Sequence, residues 1–244
     1  KAGKTQKNSA IRNERLTQTG GDGMIEKNIR RRRESAMIYY TADLHVHYAQ
    51  LLPSRPFATV EEMDEALVKN WNDTVGPEDT VYLVGDIGWN GGRVLGELLE
   101  RLSGHKHLIR GNHDTGYEDA GRLYRWFETV TDFNEIDDGE THILLCHYPM
   151  LYHKRGYMIH GHLHHGRGRD YELLRQLPRV LNAGVDVNRY RPVTLAELVE
   201  NNRAFYAGER DDEVPPPPPM ERGLPGSLPG KPDFRPIPRR KEDV

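Results

Sequence analysis

The chain has 244 residues, a formal net charge of −3 and a hydrophobic share of 36%, too little apolar material for one compact domain to fill its whole length. Near-neutrality argues against a dedicated polyanion-binding protein, and no run of 18 apolar residues is present to span a membrane. One cysteine, Cys146, excludes an internal disulfide. No short apolar segment with a small-residue cleavage site follows Lys1, and with the cysteine usage this gives cytoplasmic localisation as the expectation.

Residues 1–36 carry ten Lys or Arg against four Asp or Glu and no aromatic residue, so this stretch is expected to be a disordered basic tail, with Arg30 to Arg33 as its densest cluster. Order is expected over 37–207. Met37 to Thr41 is β-prone. Thr59 with Glu62 has the spacing of a capping box, and Val60, Met63, Leu67 and Trp71 then recur at helical period. Thr80 to Val84 is an apolar run suited to a strand covered on both faces. Leu95, Leu98, Leu99 and Leu102 predict a helix closed by Gly104, His107 to Ile109 a short strand, and Leu123, Trp126 and Phe127 a further helix. Strands are then predicted at Thr129 to Phe133, His142 to Cys146, Met158-Ile159 and Val180-Leu181, before a helix around Leu195 to Val199. An alternating β-α start and a strand-rich second half predict a four-layer α/β fold: two packed mixed β-sheets flanked by helices. Residues 208–244 hold ten of the 16 prolines. They are expected to form a disordered tail in which Pro215 to Pro219 adopt polyproline II and offer a site to a proline-recognising partner.

Five polar clusters each follow an apolar run: Asp43-Leu44-His45, Gly85-Asp86, Gly111-Asn112-His113-Asp114, His147, and Gly161-His162-Leu163-His164. If the strand ends stay extended, residues i and i+2 project to one side, so Asp43 with His45, and His162 with His164, present paired ligands while Leu44 and Leu163 face away. With Asp86, Asn112 and His147 this makes seven candidate metal ligands of mixed N/O type. Such a set suits two divalent transition-metal ions (Mn, Fe, Zn or Co) better than Mg, and a carboxylate such as Asp86 can bridge two cations. Gly111 is expected to relax the backbone at the turn delivering Asn112. Cys146 alternates with His147 and is read as a small buried hydrophobe. His160 and His165 are expected to point away from the ligand pair between them.

The order D-x-H, G-D, G-N-H-D, H, G-H-x-H resembles the calcineurin-like metallophosphoesterase superfamily, over roughly Met37 to Asn202. It is closest to that family's small single-domain phosphoesterases, which Arg55-Pro56-Phe57 and Asn182-Ala183-Gly184-Val185-Asp186 also resemble. The resemblance implies that Asp43, His45 and His164 hold one metal and Asn112, His147 and His162 the other, with Asp86 bridging. It further implies that His113 stands beside the leaving group as a catalytic residue, that Asp114 orients its ring, and that Arg55 touches substrate. The family's first motif usually continues D-x-H-x-G-H, whereas here Val46-His47-Tyr48 lacks the glycine.

The implied chemistry is hydrolysis of phosphate monoesters or diesters by attack of a metal-bound hydroxide, with His113 protonating the departing oxygen. Nucleotides, cyclic phosphodiesters and nucleic-acid ends all fit as substrates. The alternative is a catalytically silent scaffold on the same fold that binds protein partners. That reading expects loss of ligands or of the leaving-group histidine, and neither is lost here.

Overall fold

The computed structural model describes residues 36–89, 92–114 and 123–208, with backbone alone at 92–94. The basic cluster Arg30 to Arg33 and the proline run lie outside the described residues; of the helix expected at Leu123, Trp126 and Phe127, only Leu123 and Tyr124 are helical, and a turn follows.

Among the described residues, eight strands form two four-stranded sheets. The first holds β1 (Ile38–Thr41), β2 (Thr80–Leu83), β3 (His105–Ile109) and β4 (Thr129–Thr131), in that order and all parallel. Its mixed character comes from one antiparallel bridge, Tyr40 to Val193, beside β1. The second holds β5 (Phe133–Asp138), β6 (Thr141–Cys146), β7 (Tyr157–His160) and β8 (Val180–Asn182). There β5 and β6 form an antiparallel hairpin, while β6, β7 and β8 run parallel. A single strand was expected at Thr129 to Phe133. The chain instead leaves the first sheet after Thr131 and enters the second at Phe133, so Asp132 is the crossing point.

Period-two alternation explains how the sheets stack. Val81, Leu83 and Leu108 face a core shared with helices α1 (Val60–Thr74) and α2 (Gly92–Glu100), whereas Tyr40, Val84 and Ile109 face Ile143, Leu145, Ile159 and Leu181 of the second sheet. On the far side Leu144, Met158 and Val180 pack with Leu174 of the short helix α3 (Arg169–Leu174). The order helix, sheet, sheet, helix follows. Ile143, Leu144 and Leu145 are all buried because β6 is covered on both faces, and Cys146 at its end is only half-buried.

Helix α1 starts where Thr59 Oγ1 accepts from the Glu62 amide (3.1 Å). The return bond of a full box is absent: Glu62 Oε2 accepts from Ala58 N–H instead (2.8 Å). The complete box caps α4 (Leu195–Ala207), where Thr194 and Glu197 bond reciprocally and Gly208 closes the helix at φ 77°. Helix α4 is therefore two turns longer than the sequence pattern suggested. Trp71 anchors α1 beneath the first sheet, fully buried, with its indole N–H on Ser103 O (2.9 Å). Each buried side chain of this size contributes on the order of 2–3 kcal/mol. Among the described residues no helix is long and apolar enough to cross a membrane.

Candidate metal centre

Every polar cluster singled out in the sequence lies just beyond the carboxyl end of a parallel strand, the edge at which α/β sheets gather ligands. The Asp43 segment follows β1, Asp86 follows β2, and Asn112, His113 and Asp114 form a single 3-10 turn after β3. His147 follows β6, and His162 with His164 follow β7. A parallel bridge from Ala42 to Gly184 ties the ends of the two sheets together.

The ligand pairs are not extended, as the sequence reading supposed. Asp43 (φ 56°), His45 (48°), Asp86 (58°), His162 (73°) and His164 (49°) all occupy the left-handed region, which costs an L-residue about 1–2 kcal/mol. Residues i and i+2 still project together, and Leu44 between them is buried. The conformation is held by bonds across the site: Asp43 N–H donates to Gly85 O (2.9 Å), His45 N–H to Asp86 O (3.1 Å), and His162 N–H to Asp43 Oδ1 (2.9 Å).

Among the described residues, three overlapping groups of candidate ligand atoms result, the atoms of each within 4.8 Å of one another: Asp43, His45 and His164; His45, Asp86 and His113; and Asp86, His147 and His162. Asp86 Oδ2 is 3.4 Å from Nε2 of both His45 and His147. Asn112 Oδ1 joins the third group, 3.0 Å from His147 Nε2 and 2.9 Å from His162 Nδ1.

These residues fit a cation. Asp43 Oδ2 and both His45 ring nitrogens are buried without a hydrogen-bond partner, an arrangement that costs free energy unless a ligand satisfies it. His147 Nδ1 lies 2.9 Å from Val84 O. Because a carbonyl only accepts, Nδ1 must carry the proton, and the Nε2 lone pair then faces Asn112 Oδ1 and Asp86 Oδ2. Lone pairs facing one another repel until a proton or a metal ion lies between them. His164 is fixed likewise, its Nδ1 donating to Asp186 Oδ2 (2.8 Å), which turns Nε2 toward the ligand group.

The electrostatics follow from the same contacts. Burial lifts the Asp43 carboxyl to about 6 against the pull of His164 and His147. Burial, with His164 adding to it, lowers His45 to about 3. Asp86 sits at about 2: burial opposes ionisation, but bonds from His147 and the His113 amide overcome it. His147 is raised to about 9, because the Asp86 and Asp43 carboxylates outweigh its burial. A cation competes for the lone pairs that these protons occupy.

Gly111 is required here for space. No positive φ is involved, but a Cβ at this position would lie 2.1 Å from Asp86 Oδ1. The sequence reading had assigned it backbone relief.

Two expected roles are revised. Arg55 does not face the site: it is 3% exposed and all its donors are engaged. Nε and Nη2 bond Asp186 (2.8 and 3.1 Å), Nη1 bonds Leu44 O (2.8 Å) and contacts Met63 Sδ, and Nη2 also bonds Asp43 O (2.7 Å). The Asp114 carboxylate is engaged by backbone amides. It accepts from the amides of Asp86 (2.8 Å), Gly111 (2.7 Å) and Ile87 (3.0 Å), and so holds the two ligand loops together. The His113 ring packs instead against His45, Tyr48 and Trp89. His160 is fully buried, with Nδ1 on Gly161 O, and belongs to none of the three groups.

Sequence reasoning assigned no role to Asp186. Its only signal was its place in the run Asn182 to Asp186. It also missed the pairing of His47 Nδ1 with Asp64 Oδ2 (2.8 Å), which braces the segment that lacks the family's glycine against α1.

The family model for the calcineurin-like phosphoesterases matches residues 36–208. The chain belongs to that family. Similar chains include the uncharacterized protein MJ1445 of Methanocaldococcus jannaschii, 34% identical over 170 residues that cover 67% of this chain and 89% of the relative. The Gene 66 protein of Mycobacterium phage D29 is 32% identical over 179 residues, 61% of this chain and 87% of its own. Among solved structures, the protein of unknown function AQ665 from Aquifex aeolicus superposes with a TM-score of 0.54 at 26% identity, over 68% of this chain and 99% of that one.

Proposed function

We propose that this calcineurin-like phosphoesterase hydrolyses phosphate monoesters or diesters with a pair of divalent transition-metal ions. Asp43, His45 and His164 would hold one ion and Asn112, His147 and His162 the other, with Asp86 shared. The observation that carries this reading is the position of Asp86, one oxygen of which is equidistant from an imidazole of each half. Bound ions of this kind polarise phosphoryl oxygens, offset charge growing at phosphorus and make hydroxide available near neutral pH.

The chain's own residues do the rest. Val84 O and Asp186 fix the ring tautomers of His147 and His164, so that the ligand set is assembled before substrate arrives. Asp86 Oδ1 accepts from the His113 amide (2.9 Å), which keeps His113 at the edge of the shared carboxylate. From there its imidazole protonates the departing oxygen. Four imidazoles among the seven ligands favour Mn, Fe, Zn or Co over Mg.

Elemental analysis of the purified protein and turnover of monoester and diester reporters test this reading. Two equivalents of transition metal are expected, with chelation abolishing turnover. Asp86→Asn should lose metal. His113→Ala should keep metal and lose turnover most for esters with poor leaving groups. Undiminished hydrolysis by Asp86→Asn after chelation would falsify the reading.

A further inference from the structure

Large aromatic side chains stand at the open side of the ligand groups, on both flanks. On one flank the Tyr48 and Trp89 rings lie 4.9 Å apart, and each lies 5.8 Å from the His113 ring. Tyr48 also stacks on His45 at 5.4 Å. On the other flank the Tyr148 ring lies 4.7 Å from His162 and 5.3 Å from His147, edge to face with each. Trp89 is 40% exposed and Tyr148 50%. Scattered exposed hydrophobes need no explanation, but rings converging on one polar site do.

The segments that carry Tyr48 and Trp89 are tied down. The Trp89 amide donates to Val46 O (2.8 Å), and Val46 and Gly88 form a parallel bridge, so Trp89 is locked to the strand end that carries Asp43 and His45. Tyr48 is fixed by its amide on His45 O and its hydroxyl on Gln50 (2.8 Å). Rigid, half-exposed aromatic faces serve flat ligands, because they give stacking area with little ordering entropy and tolerate any planar ring.

We infer that Tyr48 and Trp89, with Tyr148 opposite, bind the aromatic part of the substrate, and that the esters taken are nucleoside phosphates whose base stacks on this wall. The inference rests on the phosphoesterase reading and adds the substrate class. Tyr48 and Trp89 flank His113, the residue assigned to the departing oxygen, so the base belongs to the leaving alcohol. The rings lie one imidazole beyond the candidate ligand atoms. A flat group stacked on them is therefore set off from the phosphate by a spacer of about sugar size, which a nucleoside has and a phenol lacks.

Binding of AMP and of ribose 5-phosphate to the metal-loaded protein, followed by calorimetry, isolates the base, since the two differ only there. AMP should bind at least about tenfold more tightly. That ratio should collapse toward one in Trp89→Ala and recover in Trp89→Phe, a rescue that loss of fold does not give. A ratio near one in the wild type overturns the inference, as does a ratio that survives Trp89→Ala, Tyr48→Ala and Tyr148→Ala alike. Phenyl phosphate should show no comparable gain, and an equal gain overturns the assignment to nucleosides. Hydrolysis is measured in the same samples. Turnover of both sugar phosphates without preference removes this inference and leaves the phosphoesterase reading standing, whereas turnover of no ester removes both.

Discussion

Arg55 and Asp186, 131 residues apart, form a buried ion pair, Nε to Oδ1 at 2.8 Å and Nη2 to Oδ2 at 3.1 Å. Each partner also reaches the metal centre: Arg55 through the carbonyls of Asp43 and Leu44, Asp186 through His164 Nδ1. Burial works to raise the Asp186 carboxyl, but the Arg55 guanidinium and His164 hold it well below the usual carboxylate range. One pair thus fixes the left-handed turn at Asp43 and the ring orientation of His164 together.

Removing one partner leaves the other as an uncompensated buried charge. Arg55→Met is expected to destabilise the fold by about 3–5 kcal/mol in chemical denaturation. Asp186→Asn keeps the shape but replaces an anionic acceptor of His164, and metal affinity at that side should drop by about 10- to 100-fold. Metal titration of the two single variants and the double variant checks this. Additive effects on affinity would show that the two residues do not act as a unit.

The ligand positions were legible in the sequence because each short polar cluster interrupts the chain directly after an apolar run, and parallel strands carry such clusters to one edge. The backbone at those positions was not legible, since alternation in a sequence is the same whether Asp43 and His45 are extended or left-handed. The partnership of Arg55 with Asp186 carried no local signal at all: neither spacing nor periodicity connects residues so far apart. The capping box at Thr194 and Glu197 was readable as Thr-x-x-Glu before an apolar run, and reading it would have given α4 its start. Helix α3 buries only Tyr171 and Leu174, too few apolar positions to establish a period.

Gly111 tests the claim that close approach decides its identity. Gly111→Ala places a methyl on Asp86 Oδ1 and 2.6 Å from the Asp86 amide, so the shared carboxylate has to move. A loss of about 1–3 kcal/mol in stability is expected from overpacking, with a larger proportional loss of bound metal. Thermal melts and elemental analysis on the same sample separate the two. Full metal content with ordinary stability would mean that the Asp86 loop is not held where the structure has it.

Glu197 supplies a pH dependence away from the site. Burial pushes its carboxyl up, but bonds from Arg191 and from the Thr194 amide and hydroxyl bring it below 4.5 overall. A depressed pKa means that the folded state keeps the group ionised after the unfolded chain has begun to take up protons. The stabilisation is therefore complete above pH 4.5 and is lost as pH falls through the lowered folded-state value. Glu197→Gln keeps the cap geometry without the charge and should be about 0.5–1 kcal/mol less stable at neutral pH. Urea melts should show that gap closing below pH 4.5, and a constant gap would contradict the assignment.

Asp114 separates two accounts of the same residue. As a clamp it accepts from three amides, one of them that of Asp86. Asparagine in its place must aim an NH2 group at one or more of those donors, which costs about 1.5–3 kcal/mol. The ligand loops would separate, so Asp114→Asn should bind metal more weakly while the dependence of turnover on the leaving group, which His113 governs, stays as in the wild type. Were the carboxylate instead the orienting partner of the His113 ring, the substitution would steepen that dependence and leave metal content intact. Metal content and turnover of esters with good and poor leaving groups, measured on one preparation, tell the two apart.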